Sequence, residues 1–180
     1  MTEPIERLAL LLMDFMPSVV PAHGGDRRLL RRVAETSEVA RQRSIDVVHV
    51  RVQFPQGSAE VSPLNRVFAT AAASLAGSDV TGVHPALRMK DDDFVVTKKR
   101  ISAFAGSDLD LLLRARRTTT VVLAGVATSG VVLSTLRQAA DLDYRIVVLA
   151  DGCAGRDEDP QNVLMRRVFP AQADVMSTAE

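Results

Sequence analysis

Two charged residues stand directly behind apolar runs in this 180-residue chain. Asp14 closes "LALLLMD" (8–14), and Lys98 follows "DFVVT" (93–97). A carboxyl group at the mouth of a buried strand, beside an ammonium, is a proton-transfer pair. Burial raises the pKa of such a carboxyl and a nearby cation lowers it, and the residue types leave open which effect dominates. Asp14 has a plainer alternative as a polar strand end, and Lys99 is the inward-pointing lysine if Lys98 snorkels to the surface. A third stretch, "GVATSGVV" (125–132), crowds two glycines, a threonine and a serine between an apolar run and a helical pattern. Backbone N–H groups that open a helix can hold a carboxylate or an oxyanion whatever the side chains are. Ala127, Thr128, Ser129 and Gly130 are therefore candidate substrate contacts. Yet this turn contains no Cys, His, Asp, Glu or Lys.

Other reactive side chains are few. Cys153 is the single cysteine; a free cysteine is ordinarily a small buried hydrophobe, with a displaced nucleophile as the alternative. Ser129 and Ser134 carry hydroxyls near the turn, with Asp14 as the one evident base. His49, amid valines, reads as a hydrogen-bonded core histidine. His23, His49 and His84 lie too far apart for a D-x-H or H-x-x-x-H ligand set, so neither a metal nor a cofactor is expected.

Lys and Arg total 22 and Asp and Glu total 22, so the formal net charge is zero. That removes any composition-level case for a nucleic acid partner. The local cluster Arg27, Arg28, Arg31 and Arg32 falls at helical spacing and reads as a solvated face. Hydrophobic residues make up 47% and charged residues 24%, a normal globular balance. One cysteine excludes an intrachain disulfide and suits a reducing cytoplasm. No apolar run reaches the ~20 residues that cross a bilayer, so no membrane partner is expected. The lead "MTEPIER" is acidic rather than basic, unlike a secretory signal, and the expected location is cytoplasmic.

The elements that must position these groups alternate. Strands are expected at 8–14, 45–52, 93–97, 119–125, 145–151 and 173–177. Between them come a helix capped by Asp26 with Leu30, Val33, Ser37 and Ala40 inward, and a loop over 53–61. A second helix starts at Ser62-Pro63 and runs to about Leu75. Ser107 and Asp110 suggest a capping box ahead of "LLLRARR". A helix with Val131, Val132, Thr135, Leu136 and Ala139 inward follows the fourth strand, and a last one begins near Pro160. The chain thus reads as one α/β domain over 1–180, a three-layer α/β/α sandwich around a mostly parallel six-stranded sheet. Ligands in such sheets bind beyond the carboxyl ends of the strands, where strand order reverses. With order 3-2-1-4-5-6, Asp14 and the 125–132 turn face each other there.

Three motifs in this order resemble the isochorismatase-like hydrolases, a family that includes nicotinamidases and other cysteine hydrolases. "ALLLMDF" is similar to the family's first strand with its catalytic Asp, here Asp14. "VVTKKRISAF" resembles the K-x-R-x-S-A-F segment, which puts the catalytic Lys at Lys98. "GVATSGVVLSTLRQAA" resembles the signature that carries the nucleophilic cysteine. Within these motifs Phe15 and Arg100 join the candidate substrate contacts, and the resemblance implies a cis peptide before Ala127. The nucleophile position, six residues after Gly125, is Val131, which cannot attack a carbonyl. The isochorismatase branch works without that cysteine: its Asp protonates a vinyl-ether carbon and water adds to the oxocarbenium. Departures from that branch are Ala127, Thr128 and Ser129 in the turn, and Asp14-Phe15-Met16 where D-x-Q is frequent.

The resulting expectation is a metal-independent hydrolase of a small-molecule substrate, with Asp14 as general acid or base and Lys98 as its partner. Alternatives are a catalytically silent binding module, and an amide or ester hydrolase using Cys153. Small residues over 69–76, together with the resemblance, imply a homodimer or higher homo-oligomer.

Overall fold

A computed structural model of the chain describes residues 6–54, 60–75 and 82–180, with the backbone alone at 71–75. Six strands form one sheet: β1 (Leu8–Met13), β2 (Asp46–Val52), β3 (Phe94–Lys98), β4 (Thr120–Val126), β5 (Arg145–Ala154) and β6 (Asp174–Met176). Their order is β3-β2-β1-β4-β5-β6, and every neighbouring pair is parallel. Strand order reverses between β1 and β4, as in the expected order 3-2-1-4-5-6.

β1 shows why the sheet is covered on both sides. Successive side chains point to opposite faces. Leu10 and Leu12 pack into one core with Leu30 and Val33 of α1 (Arg27–Gln42). Ala9, Leu11 and Met13 pack into the other with Leu109 of α3 (Leu109–Ala115) and Leu136 of α4 (Leu133–Asp141). A strand buried on both faces must be apolar at every position. Each buried leucine contributes roughly 1.5–3 kcal/mol. The α1 start is the expected one: Asp26 Oδ1 accepts from the Leu29 N–H at 2.8 Å. Arg32 is not a purely solvated residue, because it donates to Asp151 O (2.9 Å) and pairs with the Asp151 carboxylate (3.1 Å), which ties α1 to β5.

α2 (Arg66–Leu75) lies beyond the strand ends. It starts later than Ser62-Pro63 suggested, because Asn65 makes the cap, its Oδ1 accepting from Phe68 N at 3.1 Å. Ser62 instead closes a local turn onto Leu64 N. Phe68 joins Met16, Val52 and Phe54 in a third apolar cluster, meeting the Phe54 ring edge-on at 5.4 Å. The expected 53–61 loop is described only at its ends, and the 69–76 small-residue face lies mostly outside the described side chains.

The Ser107–Asp110 capping box does not form. Ser107 Oγ donates to Ala103 O at 2.6 Å, and Asp110 pairs with Arg114 one turn on at 2.9 Å. β5 runs past its expected end to Ala154, beyond a register shift opposite Leu123–Gly125. α5 (Glu158–Val163) begins near Pro160 as the sequence suggested. Among the described residues no helix is long and apolar enough to cross a membrane.

Candidate active site

Asp14 stands one residue past β1, with φ +58°. Aspartate is among the few side chains that tolerate this left-handed region. Its N–H still donates to Val50 O at 2.8 Å, while its carbonyl accepts from Met16 N at 2.8 Å. The chain therefore turns sharply out of the sheet at the residue that carries the carboxylate. Lys98 is the last residue of β3 and 2% exposed. β2 lies between β3 and β1, so the Lys98 and Asp14 side chains together must bridge two strand spacings, roughly 10 Å. Its Nζ reaches Asp14 Oδ2 at 3.0 Å and donates to Arg100 O at 3.0 Å. Lys99 goes the other way, to Gln53 O (2.9 Å) and Glu60 (3.2 Å). Lys98 is thus the inward lysine.

The turn after β4 supplies the facing wall. The Val126–Ala127 peptide is cis, and Thr128–Val132 form one wide helical turn that leads into α4. Gly125 is needed for close approach, since a Cβ there would stand 3.0 Å from Val132 and 3.1 Å from Met13. The Gly130 and Val132 amides both donate to Ala127 O, at 3.0 and 3.4 Å. That narrows the anion cradle read from the sequence, because the Gly130 N–H already has a partner.

Asp14, Lys98, Ala127, Ser129, Gly130 and Val131 all line one cavity of about 470 Å³. Val52, Phe68, Ile101 and His23 complete much of its wall. Burial pushes the Asp14 carboxyl above the ordinary aspartate value, although the charge and hydrogen bond of Lys98, and more weakly His23, pull it down. Asp14 Oδ1 has no hydrogen-bond partner among the described residues. A buried carboxyl with one free oxygen, held by a single cation, is suited to giving or taking a proton.

Other sequence candidates sit elsewhere. Phe15 is 2% exposed and packs in the α1-side core. Arg100 donates to Lys99 O and Glu60 O. Neither lines the cavity. Thr128 is 1% exposed, with its Oγ1 unpartnered. Cys153 is buried in the α4-side core, where burial pushes its thiol up to about 12. His49 is a core histidine, Nε2 lying 3.1 Å from Asp93 Oδ2. His84 Nδ1 accepts from Ala86 N at 3.2 Å. Sequence reading missed His23, Phe68, Ile101 and Val52 as wall residues. Val52 ends a strand beside β1 and was reachable from topology. His23 sits in a short turn, Pro21–His23, with no periodicity to flag it.

Comparison with known proteins fits this geometry. The family model for the isochorismatase domain matches residues 8–180. The chain belongs to the isochorismatase family. An isochorismatase family protein from Burkholderia thailandensis superposes with a TM-score of 0.81 at 29% identity, covering 96% of this chain and 92% of its own. The isochorismatase family protein YwoC of Bacillus subtilis is 27% identical over 97% of this chain and 92% of its own length. Maleamate amidohydrolase of Pseudomonas putida is 26% identical over 94% of this chain and 82% of its own.

Proposed function

We propose that this isochorismatase-family chain hydrolyses a small molecule without a covalent cysteine intermediate, with Asp14 as general acid and Lys98 as its electrostatic partner. The observation that carries this reading is the 3.0 Å Asp14–Lys98 pair on the wall of a 470 Å³ cavity, with Asp14 Oδ1 left free. At Val131 the family's nucleophile position is occupied by hydrocarbon. A vinyl ether is a substrate type that a general acid and water can hydrolyse with no nucleophile of the protein. Protonated Asp14 gives its proton to the terminal vinyl carbon, whose π electrons form the new C–H bond. The adjacent carbon becomes an oxocarbenium, water adds there, and the water's proton returns to the Asp14 carboxylate. The hemiketal then collapses to a ketone and an alcohol. Lys98 holds the carboxylate formed in the first step, and Phe68, Val52 and Ile101 keep bulk water away.

Cys153 lends little to an amide or ester route, because its thiol lies off the cavity with a pKa near 12. Val131 favours one second reading, a silent binding module that keeps the pocket and has lost turnover. A screen of vinyl ethers, amides and esters separates these readings. Turnover of a vinyl ether, resistant to thiol alkylation and lost in Asp14→Asn, is the expected result. Binding without turnover would select the silent module. Self-association is part of the same proposal, supported by Leu64, which is 90% exposed; light scattering should report a dimer or larger.

A further inference from the structure

A second, smaller cavity of about 240 Å³ opens beside the first and shares His23, Ala127 and Ser129 with it. Its outer wall comes from Gly155, Arg156, Asp157, Pro160 and Gln161, just past β5 and at the start of α5. The two chambers differ in character. The first is walled by Val52, Phe68 and Ile101, the second mainly by polar side chains.

Gln161 gives the annex its direction. Its Nε2 donates to Cys153 O at 3.4 Å, and a carbonyl can only accept, so the amide orientation is fixed. Gln161 Oε1 is buried and has no partner among the described residues. Thr128 Oγ1 is buried and unpartnered as well. Both lie round one point, because a Cβ added to Gly155 would stand 3.3 Å from Gln161 Oε1 and 3.9 Å from Thr128 Oγ1. His23 Nδ1 lies 3.0 Å from Val19 O and donates to it. Asp157 adds a carboxylate. Arg156 is the cation of the wall: its Nε and Nη2 donate to Ala22 O (3.3 and 3.1 Å), and it retains further N–H donors.

Several acceptors beside one guanidinium make a selective combination. A carboxylate would meet Asp157 and the Gln161 carbonyl oxygen, two groups that offer it nothing. An ammonium would meet Arg156. A neutral primary carboxamide or ureido group carries N–H donors and a carbonyl together, and both can be matched. We propose that this annex is a recognition subsite for a neutral carboxamide or ureido end of the substrate, with Gln161 as a specificity-determining residue. The inference rests on the hydrolase reading for the location of the reacting end, beside Asp14, while the amide end is bound and left intact in the annex.

Binding, which needs no turnover, tests it. Calorimetry of the full chain would compare hydrocinnamamide, its shape-matched ketone benzylacetone, and hydrocinnamate. The ketone leaves Gln161 Oε1 covered and unpaired, a costly arrangement. Hydrocinnamamide should bind at least about tenfold more tightly than benzylacetone, a difference of about 1.4 kcal/mol. That margin should shrink below about twofold in Gln161→Leu, which removes the acceptor, and in Gly155→Ala, which fills the cradle. It should persist in Asp14→Asn. If Gln161→Leu does not fold, Gly155→Ala decides, because its methyl comes within 3.4 Å of one atom only, Gln161 Oε1 at 3.3 Å. Equal affinities for all three probes, tightest binding of hydrocinnamate, or an amide margin that survives the annex variants would overturn the proposal. So would a margin lost in Asp14→Asn alone, which would put the amide at the carboxyl group. Absence of hydrolysis in the substrate screen would sink the hydrolase reading and leave this binding result standing.

Discussion

Two buried aspartates in this molecule have opposite fates. Asp93, just before β3, has its side chain 2% exposed. It accepts from Arg41 Nε at 2.9 Å and Nη2 at 2.6 Å, from Lys90 N at 2.9 Å, and lies 3.1 Å from His49 Nε2. Asp14, with its side chain 11% exposed, has Lys98 on one oxygen and, among the described residues, no partner on the other. Both carboxyls are pushed up by burial. At Asp93 that push is outweighed by donors from Arg41, Lys90 and His49, and its pKa falls to about 2. At Asp14 burial wins and the pKa rises. Burial alone therefore does not identify a reactive acid. The number of donors aimed at the charged form does, because each one stabilises the carboxylate. Asp93 is locked as an anion that clamps α1 to the sheet edge, whereas Asp14 is left able to exchange a proton.

Removing either carboxylate should break a different property. Asp93→Ala leaves Arg41 with Glu38 as its one acidic partner among the described residues and His49 Nε2 without its partner, so unfolding in urea should show a loss of about 3 kcal/mol. Turnover per folded molecule should stay within about twofold, since Asp93 is remote from the cavity. Asp14→Asn should do the reverse, lowering hydrolysis by at least about 100-fold, the usual size of a general-acid contribution. In the wild type, turnover should fall as pH rises through the raised Asp14 pKa, because the protonated form does the work. A loss of stability without loss of rate at Asp14 would merge the two sites into one class.

Smaller effects sharpen the contrast. Asp93 has a folded pKa below its unfolded one, so its stabilising effect is present above about pH 4 and lost as pH falls toward 2. The shift to about 2 corresponds to about 2 kcal/mol. Acid titration of stability should lose that limb in Asp93→Ala. Asp14 has the opposite sign: its protonated form suits the fold, so its contribution is complete below its unfolded pKa and fades as pH rises through the folded one. Val131→Cys should fold at a cost of about 1 kcal/mol. Its new thiol, at a helix start beside Lys98, should be alkylated at least about tenfold faster than Cys153. Equal rates would indicate that the turn after β4 has no reactive geometry left.

The parts legible from sequence were those written in local patterns. Alternating apolar runs and helical spacings specified a parallel sheet covered on both faces, and the facing of Asp14 and the 125–132 turn followed once the order 3-2-1-4-5-6 was taken. Lys98 was legible because it ends a strand two positions from β1. The annex was not, because His23 comes from a short turn, Gly155 from just past the end of β5 and Gln161 from α5, and their meeting depends on tertiary packing. Asp93 was hidden for a similar reason: three consecutive aspartates at 91–93 read alike, and only the third enters the sheet edge and meets Arg41. Phe15 shows the opposite error. Its neighbour Asp14 faces the cavity, but the left-handed turn at Asp14 sends the next side chain into the α1-side core.

Side-chain carboxyl titration by carbon-13 NMR, following Asp14 and Asp93 in the same sample, tests the central claim most directly. We expect Asp14 to titrate above the ordinary aspartate value and Asp93 near 2. In Lys98→Met the Asp14 transition should move further upward, and Asp93 should not move. An Asp14 transition at or below that of Asp93 would contradict its role as the proton donor of this site.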